Sequence, residues 1–129
     1  MNEATLLTFN LDESSRAKLD GICDSLRILP RHVSNDALSL PLGALLGLPV
    51  SSAPGQEAGI DFSDPMLVMC RFEEAQFNSF LQALRYSGLP RIDLKAVLTP
   101  SNIAWTPKQL RDELRREHAE MQRLHRGKQ

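Results

Sequence analysis

The sequence predicts an α/β domain of the α+β sandwich kind, with two βαβα units sharing one four-stranded sheet. Three observations carry that reading. Short apolar runs rich in β-favouring residues are each followed by apolar residues at helical spacing. A stretch rich in serine, proline and glycine divides the chain near its middle. The segments on either side resemble one another. The 129 residues have the length of one domain, residues 1–129. Within it, residues 4–50 make the first unit, 51–64 a linker and 65–129 the second unit.

TLLTFN (5–10) is apolar, rich in β-favouring residues and closed by a polar one, which predicts a strand. LDESSRAKLDGICDSLRI follows, with Leu19, Ile22, Cys23 and Leu26 on one helical face. Asn10 or Asp12 is placed to cap its start, where acidic side chains also suit the helix dipole. RHVSND (31–36) reads as a weaker strand, and SLPLGALLGL (39–48) as a short helix entered near Pro41.

The pattern then returns. PMLVMCRF (65–72) is a strand, and the helix after it sets Phe77, Phe80, Leu81 and Leu84 on one side. Gly88 stands where a left-handed residue closes a helix, with Leu89 placed to touch Leu84 and Pro90 preventing continuation. RIDLKAVLT (91–99) alternates Ile92, Leu94, Ala96 and Leu98, as a half-buried strand does. Laid over each other, the halves align Leu19 with Phe80 and Cys23 with Leu84, which reads as an internal repeat. A ferredoxin-like βαβ-βαβ arrangement with extra helices fits this order of elements. So does a parallel sheet with helices on both faces, and the strand order stays undetermined.

The last helix is announced by TPSNIAWTPKQL. With Thr106 as N-cap, Pro107 takes the first helical position, where its missing N–H costs nothing. Gln109 completes a capping box, and Trp105 and Leu110 hold the two positions of a hydrophobic staple. Trp105, Thr106, Pro107, Gln109 and Leu110 are therefore read as a structural motif. Leu110, Leu114, Met121 and Leu124 fall towards one side, with Asp112–Arg116 and Arg116–Glu120 as expected ion pairs on the other. Thr99, Ser101 and Asn102 lie at a strand's carboxyl end before a helix amino terminus. Ligands, anions especially, bind at such places in α/β sheets, which makes these three the candidate ligand-binding residues.

Thr99, Pro100, Asn102, Trp105, Thr106, Leu110, Glu113, Leu114, Glu117 and His118 together make a pattern that resembles a small bacterial family of uncharacterised proteins, domain of unknown function thirty-seven eighty-three. The resemblance covers about residues 65 to 121. It implies a compact α/β unit in the bacterial cytoplasm and brings no activity with it.

Charge and composition narrow the function. A net charge of -1 counts against an extended nucleic-acid surface. Basic residues do crowd the last stretch, but Asp112, Glu113, Glu117 and Glu120 interleave with them. No apolar run approaches the ~20 residues that span a bilayer, and the amino terminus lacks the basic start of a secretory signal. Cys23 and Cys70 have no metal-like spacing and read as buried apolar residues in a reducing compartment, so a cytoplasmic location is expected.

No phosphate-binding glycine loop occurs, and the spacing of Gly43 and Gly47 is expected to permit close packing. His118 and His125 share a helix face but are too far apart for an easy shared metal, and His32 stands alone in sequence. The acidic pairs Asp12–Glu13 and Glu73–Glu74 suit helix starts better than a division between acid and base. No catalytic residue, metal ligand or cofactor is assigned, and the balance leans away from an enzyme. The reading is a non-catalytic protein-interaction or regulatory module, either a homodimer or bound to a protein partner. The alternative is a small-molecule or anion-binding domain using Thr99, Ser101 and Asn102 with the loop around Ser34 and Asn35.

Overall fold

The computed structural model describes residues 4–38, 40–48 and 62–127. The linker expected over 51–64 lies outside the described residues except for its last three, and so do the ends of the chain. Among the described residues four strands and four helices alternate: β1 (Thr5–Phe9), α1 (Glu13–Leu26), β2 (Leu29–Val33), α2 (Leu42–Leu45), β3 (Met66–Cys70), α3 (Glu74–Tyr86), β4 (Leu94–Val97) and α4 (Pro107–Gly127). A 3-10 turn, Asn35–Ala37, precedes α2.

The chain divides into two compact units, and each draws on both halves of the sequence. One contains all four strands with α1 and α3, and runs to Ser34 and again over Ser63–Leu98. The other takes the described parts of Asn35–Phe62 and Thr99–Gln129, with α2 and α4.

In the sheet unit the strand order is β2-β1-β3-β4. β1 runs parallel to β2, β3 parallel to β4, and the central pair β1/β3 is antiparallel with Leu7 opposite Val68. This is not the ferredoxin-like order, which splits each βαβ unit around another strand. Here the strands of each βαβ unit lie side by side, and the two units meet through their first strands. The central strands, TLLTF and MLVMC, are buried along their whole length. That explains why both read as continuous apolar runs and not as alternating ones. The edges are blunter: β2 carries Pro30, Arg31 and His32, residues suited to a strand that pairs on one side only.

Leu6, Leu67 and Met69 face the two crossover helices, where Leu19 and Cys23 of α1 and Phe80 of α3 complete a buried cluster. Phe72 meets the Phe80 ring edge-on, with centroids 5.5 Å apart. Both helices start on an acidic cap. Asp12 accepts from the Ser15 N–H at 2.7 Å. That bond, helped by the Ser15 hydroxyl, holds the Asp12 carboxyl below the ordinary carboxylate range. Glu73 and Gln76 form a reciprocal capping box, and the Gln76 amide also donates to the Leu26 carbonyl at the end of α1 (3.0 Å).

Helix α1 ends sooner than its apolar spacing suggests. Arg27 adopts a left-handed conformation (φ 61), and the Ile28 N–H reaches back to the Cys23 carbonyl at 2.9 Å. This is the Schellman closure, made at α1 without a glycine. It frees residues 29 and 30 to begin β2, which therefore lies ahead of the 31–36 expected. Gly88 does take a positive φ of 80 after α3, but the Leu89 N–H is taken by the Ser87 hydroxyl at 3.1 Å. Strand β4 is shorter than the alternation over 91–99, since residues 91–93 belong to the connection, and α2 is one turn within the expected 39–48.

Candidate functional site

Four places in the described residues gather polar or exposed apolar side chains. The first is the loop before α4. Thr99 and Asn102 hold each other: the Thr99 N–H donates to Asn102 Oδ1 (2.9 Å), and the Asn102 N–H donates to Thr99 Oγ1 (3.2 Å). Asn102 is buried, while Thr99 and Ser101 are exposed. The loop's carbonyls also serve α2, whose first N–H groups, at Leu42 and Gly43, donate to Trp105 and Ile103 (both 2.8 Å). Asn102 thus braces the loop, and its neighbours Thr99 and Ser101 present the free surface.

Helix α4 begins directly after. The Thr106 N–H donates to Gln109 Oε1 (2.8 Å) and the Gln109 N–H to Thr106 Oγ1 (3.3 Å), a capping box. Pro107 and Leu110 are buried, and Trp105 is half-buried with its backbone N–H on the Asn102 carbonyl. Arg111 lies 5.7 Å above the Phe62 ring.

The second place is the far half of α4. Burial falls along the apolar side, from Leu110 at 2 % exposure through half-buried Leu114 to Met121 at 65 % and Leu124 at 54 %. Lys108 pairs with Asp112 (2.8 Å), Arg116 turns back to Glu113, and Arg123 to Glu120. Arg116 therefore pairs with Glu113, three residues back, and with neither expected partner, Asp112 or Glu120. The His118 ring lies 3.3 Å from the Gln122 amide, and the His125 side chain is outside the described residues.

The third place was invisible in the sequence. Thr8 Oγ1 lies 2.6 Å from His32 Nδ1, and His32 Nε2 lies 2.8 Å from Asp20 Oδ1. A carboxylate only accepts, so Nε2 carries the proton and Nδ1 faces the hydroxyl. The order hydroxyl, imidazole, carboxylate matches that of a nucleophilic triad. Thr8, however, is 1 % exposed, so its oxygen has no room to meet a substrate. The trio clamps β1, β2 and α1 together. Parallel pairing of Thr8 with His32 creates it, and no local pattern signals that pairing.

The fourth place is a groove of about 600 Å³ at the end of α3. Leu81, Leu84, Leu89 and Ile92 supply apolar walls, and Arg85, Arg91 and Lys95 are its charged lining. Arg91 pairs with Asp93 at 2.7 Å, and Lys95 donates to the Ile92 carbonyl. Among the described residues Arg85 has no ion-pair partner. In the sequence this segment carries only the marks of a helix stop and a strand.

Cys23 and Cys70 are free and buried. Burial, helped at Cys23 by nearby Asp20, pushes both thiols up to about 12, so neither offers a thiolate near neutral pH. No helix among the described residues is long and apolar enough to cross a membrane.

Residues 65–121 match the family model described as Domain of unknown function (DUF3783). The match takes in β3, α3, β4 and α4 as far as Met121, and so includes the groove but not Leu124. No curated protein and no solved structure matches the chain.

Proposed function

We propose that the chain is a protein-interaction module of the bacterial cytoplasm that associates with a second copy of itself through the far half of α4. The exposure of Met121 and Leu124 on the side that Leu110 and Leu114 begin carries this reading. A helix keeps such a stripe in water at a cost of order 25 cal/mol per Å² of apolar surface, which a partner's apolar stripe removes. Leu114 and Met121 stand one heptad apart, the spacing by which paired helices mesh. Glu113, Glu117 and Glu120 interleave with Arg115, Arg116 and Arg123, so an antiparallel second copy meets opposite charges. A cytoplasmic setting suits two buried free thiols.

Light scattering coupled to size exclusion tests the proposal. A dimer at micromolar concentration that becomes a monomer in the double variant Met121→Glu, Leu124→Glu is the expected result. A wild-type chain that stays monomeric across that range removes it.

A second reading makes the chain an anion or small-molecule binder at Thr99, Ser101 and Asn102. The exposed hydroxyls of Thr99 and Ser101 ahead of α4 support it. Thermal-shift measurements with phosphorylated metabolites and nucleotides test it, and an unshifted transition with every compound counts against it.

A further inference from the structure

We propose that the groove at the end of α3 binds a small amphipathic carboxylate, an apolar chain carrying one anionic head. Its volume of about 600 Å³ falls within the range of ~300–1,000 Å³ typical of small-molecule sites. Its walls divide the work as such a ligand requires. Leu81, Leu84, Leu89 and Ile92 take the chain out of water, and Arg85, Arg91 and Lys95 provide positive charge with no acidic side chain in the lining. Arg85 is the anchor, since it stands at the helix end without an ion-pair partner among the described residues. The Arg91–Asp93 pair is exposed on both sides, so Arg91 gives up little in turning to a ligand.

The groove is also held open. Gly88 turns the chain with its positive φ, the Ser87 hydroxyl accepts from the Leu89 N–H, and the Lys95 ammonium clasps the Ile92 carbonyl. A wall fixed in this way loses little entropy on binding.

The corresponding place in the first βαβ unit sharpens the choice of ligand. Aligned by strand register and helix cap, Asp20 stands where Leu81 does and Asp24 where Arg85 does. One unit shows carboxylates at the end of its helix; the other shows leucine and a guanidinium. The groove is built from α3, β4 and the connection between them, none of which the self-association proposed above uses.

Isothermal titration of the full chain with decanoate, decanol and acetate provides the test. Decanoate is expected to bind at least tenfold more tightly than either decanol, which lacks the charge, or acetate, which lacks the chain. Arg85→Gln is expected to reduce that preference over decanol by tenfold or more, and Arg85→Gln with Lys95→Gln to abolish it. Both substitutions lie on exposed or half-buried positions, and a far-ultraviolet spectrum checks that the variants fold. Absence of decanoate binding, equal binding of decanol, or a preference that survives both substitutions overturns the proposal. So does binding of an acidic amphipathic peptide in decanoate's place.

Discussion

The two βαβ units of the sheet are alike through the first strand and the start of the helix, and part company beyond. Asn10 and Arg71 each take a left-handed turn after the first strand (φ 59 and 62), Asp12 and Glu73 cap the helices, and Leu19 and Phe80 fill the core without exposure. Past that point, α1 passes to β2 through Arg27 and Ile28 alone, whereas α3 needs residues 87–93 to reach β4. Side chains diverge with the connection. The hydrogen-bonded trio Thr8, His32 and Asp20 of the first unit corresponds to Met69, Val97 and Leu81 in the second. A short connection and a polar clamp close the first unit's helix end; a long connection and apolar residues leave the second with a groove. The lesson is that a shared framework constrains the strand, cap and buried helix face, and leaves the helix exit open to variation.

The strongest way to break the comparison is at the matched core positions. If Leu19 and Phe80 are equivalent pillars, Phe80→Ala lowers stability by about 3–5 kcal/mol and Leu19→Ala by about 2–5 kcal/mol. Urea unfolding measures both, and a loss under about 1 kcal/mol at either position ends the equivalence. Next comes the clamp. Thr8→Val removes the hydroxyl facing His32 and is expected to cost about 1 kcal/mol, while Met69→Leu at the corresponding site is close to neutral. Equal costs would mean that the polar trio does not distinguish the units.

The helix exits give the smallest effects. Gly88→Ala forces a side chain into a left-handed conformation at about 1 kcal/mol. Steric conflict contributes little there, since the nearest atom to an added Cβ is the mobile end of Lys18 at 3.7 Å. Arg27→Gly relieves the same conformation in α1, offset by a more flexible unfolded chain, and should change stability by no more than about 0.5 kcal/mol. Thermal unfolding of the two variants checks the pair. Destabilisation by Arg27→Gly comparable to that by Gly88→Ala would show that the Arg27 side chain, and not the backbone turn, closes α1.

Much of the framework was legible in the chain. TLLTF and MLVMC announce strands because both of their faces are buried. Thr106 with Gln109 marks a helix start because a capping box closes within one turn, and the acidic pair Glu73–Glu74 marks another because it suits the helix dipole. The α1 exit was not legible, since Arg27 is no turn residue and apolar spacing carries on through Ile28. At the candidate loop, the sequence brought Thr99, Ser101 and Asn102 together but could not tell the brace, Asn102, from its exposed neighbours. The groove left no mark, because Arg85 and Lys95 look like any solvated cations until the connection folds them towards Leu81 and Leu84.

The sequence by itself determined the order of strands and helices, the capped starts of α3 and α4 and the apolar face of each crossover helix. These depend on hydrogen bonds and side-chain spacing within a turn or two of chain. Tertiary structure alone decided that β1 and β3 pair antiparallel at the centre, that Thr8 finds His32, and that a basic apolar groove opens beside α3. The first two join residues far apart in sequence, where the free energy belongs to the pairing and to neither partner's local pattern; the groove depends on how the connection 87–93 turns back along α3.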